Sequence, residues 1–372
     1  MANLKPAEQR AEEIPWQSPK TAIQAKEKPA DQAPPQQEQA AAGIIGGSYA
    51  RPQTRTPATE QRQLEYQRLS YADPHSRWWK PLLEAVISGS LFFLLSFATS
   101  LTWVFYQAFR QEGNMGSVVG RLDIASLQKG ALQSPSVFLL LFGSVILMWP
   151  CLWLARLLLG PKPWGLIHSV AGKIRWSWLL LCIAISLVLY VIIPVVLTIL
   201  SGVPLTMSSE LPVNLLVTLL LLIVFLVPLQ CYAEEIVFRG YLMQTVGRWL
   251  KHPVWAIVLP APLFMMGHTY DFWGQASILT MGIAAGFMVW YTGGLEAGIA
   301  MHVVNNVYLM IMGVLGLTDP FAQEGSNWVD YLMASGLELV LVILVMYAAK
   351  KVGIERKGSY RVLTSFPKEE IY

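Results

Sequence analysis

Charge is what this chain has least of: only 14% of its 372 residues are Asp, Glu, Lys or Arg, against about 25% in an ordinary soluble domain. That shortage excludes a water-soluble globular class. The net charge of +3, with no basic stripe carrying interleaved aromatics, excludes a nucleic-acid partner. Cysteine is also scarce. Cys151, Cys182 and Cys231 lie in or beside apolar stretches without ligand-like spacing, which excludes a disulfide scaffold or zinc knuckle and makes them small buried hydrophobes. No His-Glu-x-x-His pattern occurs. Residues 1–76 contain no apolar run of the kind a secretory signal needs, and no sustained apolar period. They are expected to form a disordered cytoplasmic tail, because such a stretch buries too little surface to offset its ordering entropy.

What is abundant is apolar sequence. Hydrophobic residues make up 54% of the chain and mean hydropathy is +0.45. Apolar runs at 82–107, 136–159, 177–200, 212–233, 254–268, 275–292, 295–314 and 330–349 have or approach membrane-spanning length. The expected fold class is therefore an all-α, polytopic helical membrane bundle of about eight transmembrane helices. Arg77, Lys80, Lys162, Lys173, Arg175, Arg248, Lys251 and the C-terminal Lys350, Lys351, Arg356 and Lys357 fall on one side of this count. The loops at 201–211, 269–274 and 315–329 contain no Lys or Arg. By the positive-inside rule both termini are cytoplasmic. Four regions follow: the tail at 1–76, N-terminal transmembrane helices at 77–205, a candidate catalytic core at 206–316, and a last helix with a basic C-terminal tail at 317–372. Gly282-x-x-x-Gly286 and Gly294-x-x-x-Gly298 are spaced for close helix contact, which suggests that spans six and seven pack tightly.

The scarce charges are concentrated. Glu234 and Glu235 follow an almost uncharged run from Leu211 to Ala233, with Arg239 four residues on. Each such group costs about 2.5–3.5 kcal/mol near the membrane centre even on lenient scales. Glu235 and Arg239 are i and i+4, the favourable order for a helical ion pair. Glu234, about 100° away around the helix, is left as the carboxylate suited to general-base work. His268 ends the stretch from Trp255 to Gly267, with Phe264 one turn before it. His302 and Asn306 share a face of span seven, while the adjacent Asn305 is turned away. Taken singly these residues read as interfacial or helix–helix polar contacts. Together they supply a base for water, a partner to orient it, and donors for a tetrahedral intermediate.

In order and spacing, Glu234-Glu235-x-x-x-Arg239, Phe264-x-x-x-His268 and His302-x-x-x-Asn306 resemble the three motifs of the type II CAAX protease family. These are the CPBP or Abi intramembrane glutamic endopeptidases, which include the Ras-converting CAAX endopeptidase. The resemblance covers roughly residues 206–316. It implies an intramembrane endopeptidase in which Glu234 and His268 activate water, His302 and Asn306 stabilise the oxyanion, and Glu235 with Arg239 support them. The expected partners are a peptide or protein substrate at the membrane and the bilayer itself. No cofactor is favoured; the alternative is zinc held by Glu234, His268 and His302, since two His and one carboxylate leave a fourth position for water. A non-catalytic immunity or scaffold protein of the same fold is the first rival reading. A proton-coupled transporter using Glu234, Glu338 and the histidines is the second.

One difficulty follows from the counting. His302 lies only about seven residues past the turn at Gly293-Gly294, whereas Glu234 lies 17 residues before Lys251. Either that turn dips into the membrane, or residues 236–250 run along the surface and the site is shallow.

Overall fold

The computed structural model describes residues 59–110, 116, 119–120, 123–160, 163–202, 207–322 and 324–364. Seven helices are long and apolar enough to cross a membrane: α1 (Lys80–Arg110), α2 (Pro135–Leu158), α3 (Trp176–Leu200), α4 (Val213–Trp249), α6 (Phe272–Thr292), α7 (Glu296–Val314) and α8 (Trp328–Val352). The segment expected as the fifth span, 254–268, is the exception. It forms a shorter apolar helix, α5 (Pro253–Met265), broken into Pro253–Val258 and Pro260–Met265. Pro260 and Pro262 have no amide hydrogen to continue the helical ladder, so the run cannot hold one regular helix.

Two strands tie the ends of the described chain together. β1 (Thr59–Glu65) pairs antiparallel with β2 (Lys357–Leu363), in register from Thr59 opposite Leu363 to Glu65 opposite Lys357. The tail expected to be disordered over 1–76 is therefore folded from residue 59. The strand is followed by a 3₁₀ turn, Tyr66–Ala72, in which Tyr66, Leu69 and Tyr71 are buried. Periodicity within 59–76 could not show this, because the partner strand is nearly 300 residues away. Residues 1–58, which carry the rest of that expectation, lie outside the described residues.

Because β1 and β2 pair, the chain leaves and returns at one end of the bundle, so it traverses an even number of times. That end, here the braced end, also carries the Lys251 carbonyl, which accepts from Arg68, and the Arg248 carbonyl, which accepts from Tyr71. Thr269 and Tyr270 are at the far end, where they meet Gln128 and the Pro320 carbonyl. The short α5 thus carries the chain between the ends, and the eight traversals are seven long helices plus this broken one. Seven apolar helices of spanning length make this an integral, multi-pass membrane protein.

α4 has 37 residues, about 55 Å at 1.5 Å per residue, longer than the roughly 40–45 Å of a whole bilayer. Its last 14 residues, beyond Glu235, are covered by protein: Gln67 packs on Gly247, Tyr71 hydrogen-bonds to the Arg248 carbonyl, and Trp249 donates to the Trp78 carbonyl. The 236–249 segment continues α4 and projects at the braced end, so the Glu pair lies near that end.

Candidate functional site

α4, α5 and α7 each bring one motif to the same place. In α4 the hydrogen-bond ladder widens to a π-helical segment over Ile236–Leu242, directly after the glutamate pair. Such widened turns occur chiefly at functional positions. Here Arg239 Nη1 donates to Glu235 Oε1 at 2.8 Å, the i,i+4 pair anticipated from sequence. Both residues are enclosed, Glu235 at 0% and Arg239 at 3% exposure. The pair can be so deep because α7 offers no side chain at the contact: a Cβ on Gly298 would stand 2.8 Å from Glu235 Oε2.

His302 bridges the two acids. Its Nδ1 lies 3.0 Å from Glu235 Oε1 and its Nε2 lies 3.3 Å from Glu234 Oε2. The ring is buried, and Cys231, one turn before Glu235 on α4, is close enough to interact with it electrostatically. That proximity gives Cys231 a place in the site that its sequence surroundings did not suggest, although all three cysteines are buried and free as expected. The Glu234 side chain keeps 12% exposure where that of Glu235 has 1%. Its Oε2 meets no hydrogen-bond donor with suitable geometry among the described residues. Glu235 Oε2 likewise meets no donor, so what separates the two acids is the cation on Glu235 and the greater exposure of Glu234.

α5 places Phe264 as a wedge. Its ring lies under the Arg239 guanidinium (4.1 Å) and edge-on to His302 (5.6 Å, 89°), so one aromatic side chain spaces two of the polar groups. One turn on, His268 Nδ1 is 3.0 Å from the Phe264 carbonyl oxygen. That acceptor requires Nδ1 to carry the hydrogen and leaves Nε2 with its lone pair. Gln275 of α6 donates to the His268 carbonyl. His268 and Glu234 are near enough to interact electrostatically but make no direct hydrogen bond. Asn306 follows His302 by one turn on α7, and its Oδ1 accepts from Asn305 Nδ2 at 3.1 Å. Asn305, expected to turn away, is therefore in contact with Asn306.

The small-residue motifs make close contacts. Gly298 of α7 meets Val289 of α6, 3.3 Å from where a Cβ would be, as expected for spans six and seven. The first motif turns instead to α5. Gly282 of α6 faces Ala261 and Gly286 faces Ile257, both on α5, at 3.1 and 3.3 Å from where a Cβ would be. The absence of side chains there lets the broken helix sit against α6. Glu338 of α8 is apart from the site; it is buried, Oε2 meets no donor, and Tyr190 of α3 is within electrostatic reach.

Sequence reasoning missed the group that holds the start of α7. Glu296 is fully buried and takes a two-pronged pair from Arg175, Nε to Oε1 at 2.9 Å and Nη2 to Oε2 at 2.7 Å, plus the Arg175 amide at 2.8 Å. The signal was present as an acid at the head of an apolar span. The preceding turn needs glycine at Gly293 (φ 68°) and is stitched to the 168–170 segment: Val170 N donates to the Gly293 carbonyl and Leu295 N to that of His168, both at 2.8 Å.

No group of three or more His, Cys, Asp or Glu side chains among the described residues is placed to hold a metal ion. In particular, Glu234, His268 and His302 are not arranged as a ligand set. His302 directs both ring nitrogens at carboxylates.

The family comparison falls on the segment from α4 to α7 that carries these motifs. Residues 214–308 match the Rce1-like type II CAAX prenyl endopeptidase family. This Rce1-like segment contains all three motifs and leaves out α1 to α3 and α8, close to the extent the sequence resemblance had. A relative in Bacillus subtilis (strain 168), the uncharacterized protein YyaK, is 28% identical over 199 residues, 49% of this chain. The match spans 64% of that protein's length, under two thirds. No solved structure matches.

Proposed function

We propose that this protein is an intramembrane endopeptidase of the CAAX type, hydrolysing a peptide bond in a membrane-anchored substrate near its prenylated C-terminal Cys-aliphatic-aliphatic-X end. The observation that carries this reading is the unequal treatment of adjacent acids. Glu235 is enclosed and held through Oε1 by Arg239 and His302, while Glu234 has no Arg or Lys partner among the described residues and keeps the more accessible side chain.

In this reading Glu234, oriented with His268, takes a proton from water, which attacks the scissile carbonyl. His268 Nε2 is the acceptor on the opposite side of that water. As Glu234 takes the proton it loses its charge and its hold on His302 Nε2. That nitrogen and Asn306 Nδ2 then donate to the oxyanion that forms, while Glu235 holds the His302 ring by its Nδ1. The proton taken by Glu234 then goes to the leaving amine, so the bond breaks with atoms and charge balanced. Phe264 and Arg239 keep the ring and the paired acid in place. This reading is metal-free, because a Glu–His arrangement activates water by proton transfer without Lewis-acid help. The positive-inside bias turns the braced end, with β1 and β2, to the cytoplasm.

The test uses purified protein in lipid vesicles and a fluorogenic peptide ending in a farnesylated CAAX sequence. The wild type is expected to cleave it, with activity surviving exhaustive chelation. Glu234→Ala and His268→Ala are each expected to lose about 10²–10⁴-fold with folding intact. Full activity in Glu234→Ala would sink the glutamyl mechanism. Reversible loss on zinc removal would replace it with a metal-dependent one.

A further inference from the structure

Resting on the reading of Asn306 as an oxyanion donor, we infer that Asn305 is a positioning residue: its side-chain amide fixes which end of the Asn306 amide faces the substrate. A primary amide presents a donor NH₂ on one side and an acceptor oxygen on the other, and the two ends have nearly the same shape. Only the NH₂ end stabilises an oxyanion; the oxygen end would repel it. Packing cannot choose between ends of equal size, so the choice falls to hydrogen bonding.

One hydrogen bond is available to make that choice. Asn305 Nδ2 donates to Asn306 Oδ1 at 3.1 Å, and among the described residues Asn306 makes no other side-chain hydrogen bond. The bond engages the acceptor end and leaves the Asn306 NH₂ free to point elsewhere. Both amides are half-buried on a helix otherwise lined by Val303, Val304 and Val307, so water competes weakly for these groups and the pairing carries more weight than on an open surface. The sequence could not show this. Adjacent residues diverge by about 100° around a helix, and only the reach of two amides closes the gap.

Polarity reversal separates this role from a structural one. Asn305→Asp keeps the shape but replaces the donor by an acceptor, which draws the Asn306 NH₂ to itself and turns its oxygen to the substrate. Asn305→Leu removes the preference without reversing it, leaving both orientations about equally populated. Asn305→Gln retains the amide donor. With the farnesylated fluorogenic peptide in vesicles, kcat is expected to fall about 10²-fold in Asn305→Asp, near the loss from removing an oxyanion donor. In Asn305→Leu it falls about twofold, the loss of half the productive population, and in Asn305→Gln less than in Leu. KM stays nearly constant in all three. Introduced into Asn306→Ala, Asn305→Asp causes no further loss, because there is no longer an amide to turn.

The inference is overturned if Asn305→Asp retains as much kcat as Asn305→Leu, or if its loss multiplies with that of Asn306→Ala. Should Asn305→Asp fail to fold, the comparison of Gln with Leu decides: a higher kcat in Gln supports the role and equal values overturn it. An Asn306→Ala variant with wild-type kcat, or a wild type that leaves the peptide intact, defeats the catalytic reading itself and this inference with it.

Discussion

The two ends of the bundle are built differently. At the braced end, side chains reach backbone carbonyls across long stretches of sequence: Tyr66 to Ile167, Tyr360 to Val170, Tyr241 to Pro81 and Gln244 to Leu166. Arg175 adds the pair with Glu296 and a hydrogen bond to the Thr292 carbonyl. At the far end the links among the described residues are more exposed, such as Gln128 with Thr269 and Ser208 with the Gly316 carbonyl. A cavity of about 650 Å³, lined by Lys129, Glu210 and Asp319 among others, lies there. His302 is seven residues into α7, about 10 Å from its start at the braced end. In the proposed reaction the groups that activate water must hold their places closely, since a displacement of 1 Å can cost about 10²-fold in rate. The braced end is the one nearest the site.

The largest effect that could break this comparison is topological. Single cysteines at Ser359 and Ser208, in a background lacking Cys151, Cys182 and Cys231, are expected to label from opposite sides, Ser359 from the cytoplasm. Labelling of both from one side would mean that the ends have been assigned wrongly and that α5 does not carry the chain across.

Next is the clamp at the head of α7. Arg175→Ala leaves Glu296 buried without its cation, and removing one partner of such a pair costs about 3–5 kcal/mol. A large drop in thermal stability and loss of cleavage are expected. Restoring both by the double variant Arg175→Leu with Glu296→Leu would show that packing suffices there. Unchanged stability in Arg175→Ala would show that the braced end is not what orders α7.

The smallest effect is electrostatic and local to the strand pair. Burial acts upward on the Glu65 carboxyl, but hydrogen bonds from Gln67 and Trp290 and the charges of Arg356 and Lys357 outweigh it and hold its pKa below the usual value of 4.5. A carboxyl depressed in the folded state contributes stability that is full above that usual value and is lost as pH falls through the depressed one. Amide exchange in β1 and β2 should therefore quicken below about pH 4.5, while α7 stays protected. Exchange in the strands that ignores pH across this range would remove Glu65 from the brace.

Much of the site was legible because its charges are costly. A Glu-Glu-x-x-x-Arg run after more than twenty apolar residues has few uses, and i,i+4 geometry alone chose Glu235 for the ion pair. The fold class was legible for a similar reason: apolar runs of spanning length have one stable solution in lipid. The folded state of 59–72 was not, because strand pairing with 357–363 is invisible to any local window. Nor was the partner of Gly282 and Gly286, since the spacing tells that a backbone comes close but not whose.

By itself, then, the sequence determined the helical membrane class, seven of the eight expected spans and the identity of the polar groups, because hydrophobic length and the cost of buried charge act residue by residue. Only the tertiary structure decided that His302 spans both acids, that Phe264 separates Arg239 from His302, and that Glu296 is clamped by Arg175. Those contacts join residues dozens to over a hundred positions apart, and packing in three dimensions sets them. The Asn305–Asn306 contact is the local case of the same rule: helical periodicity gives a direction for each Cβ, and the side chains then find each other by the hydrogen bonds that an apolar surrounding makes worthwhile.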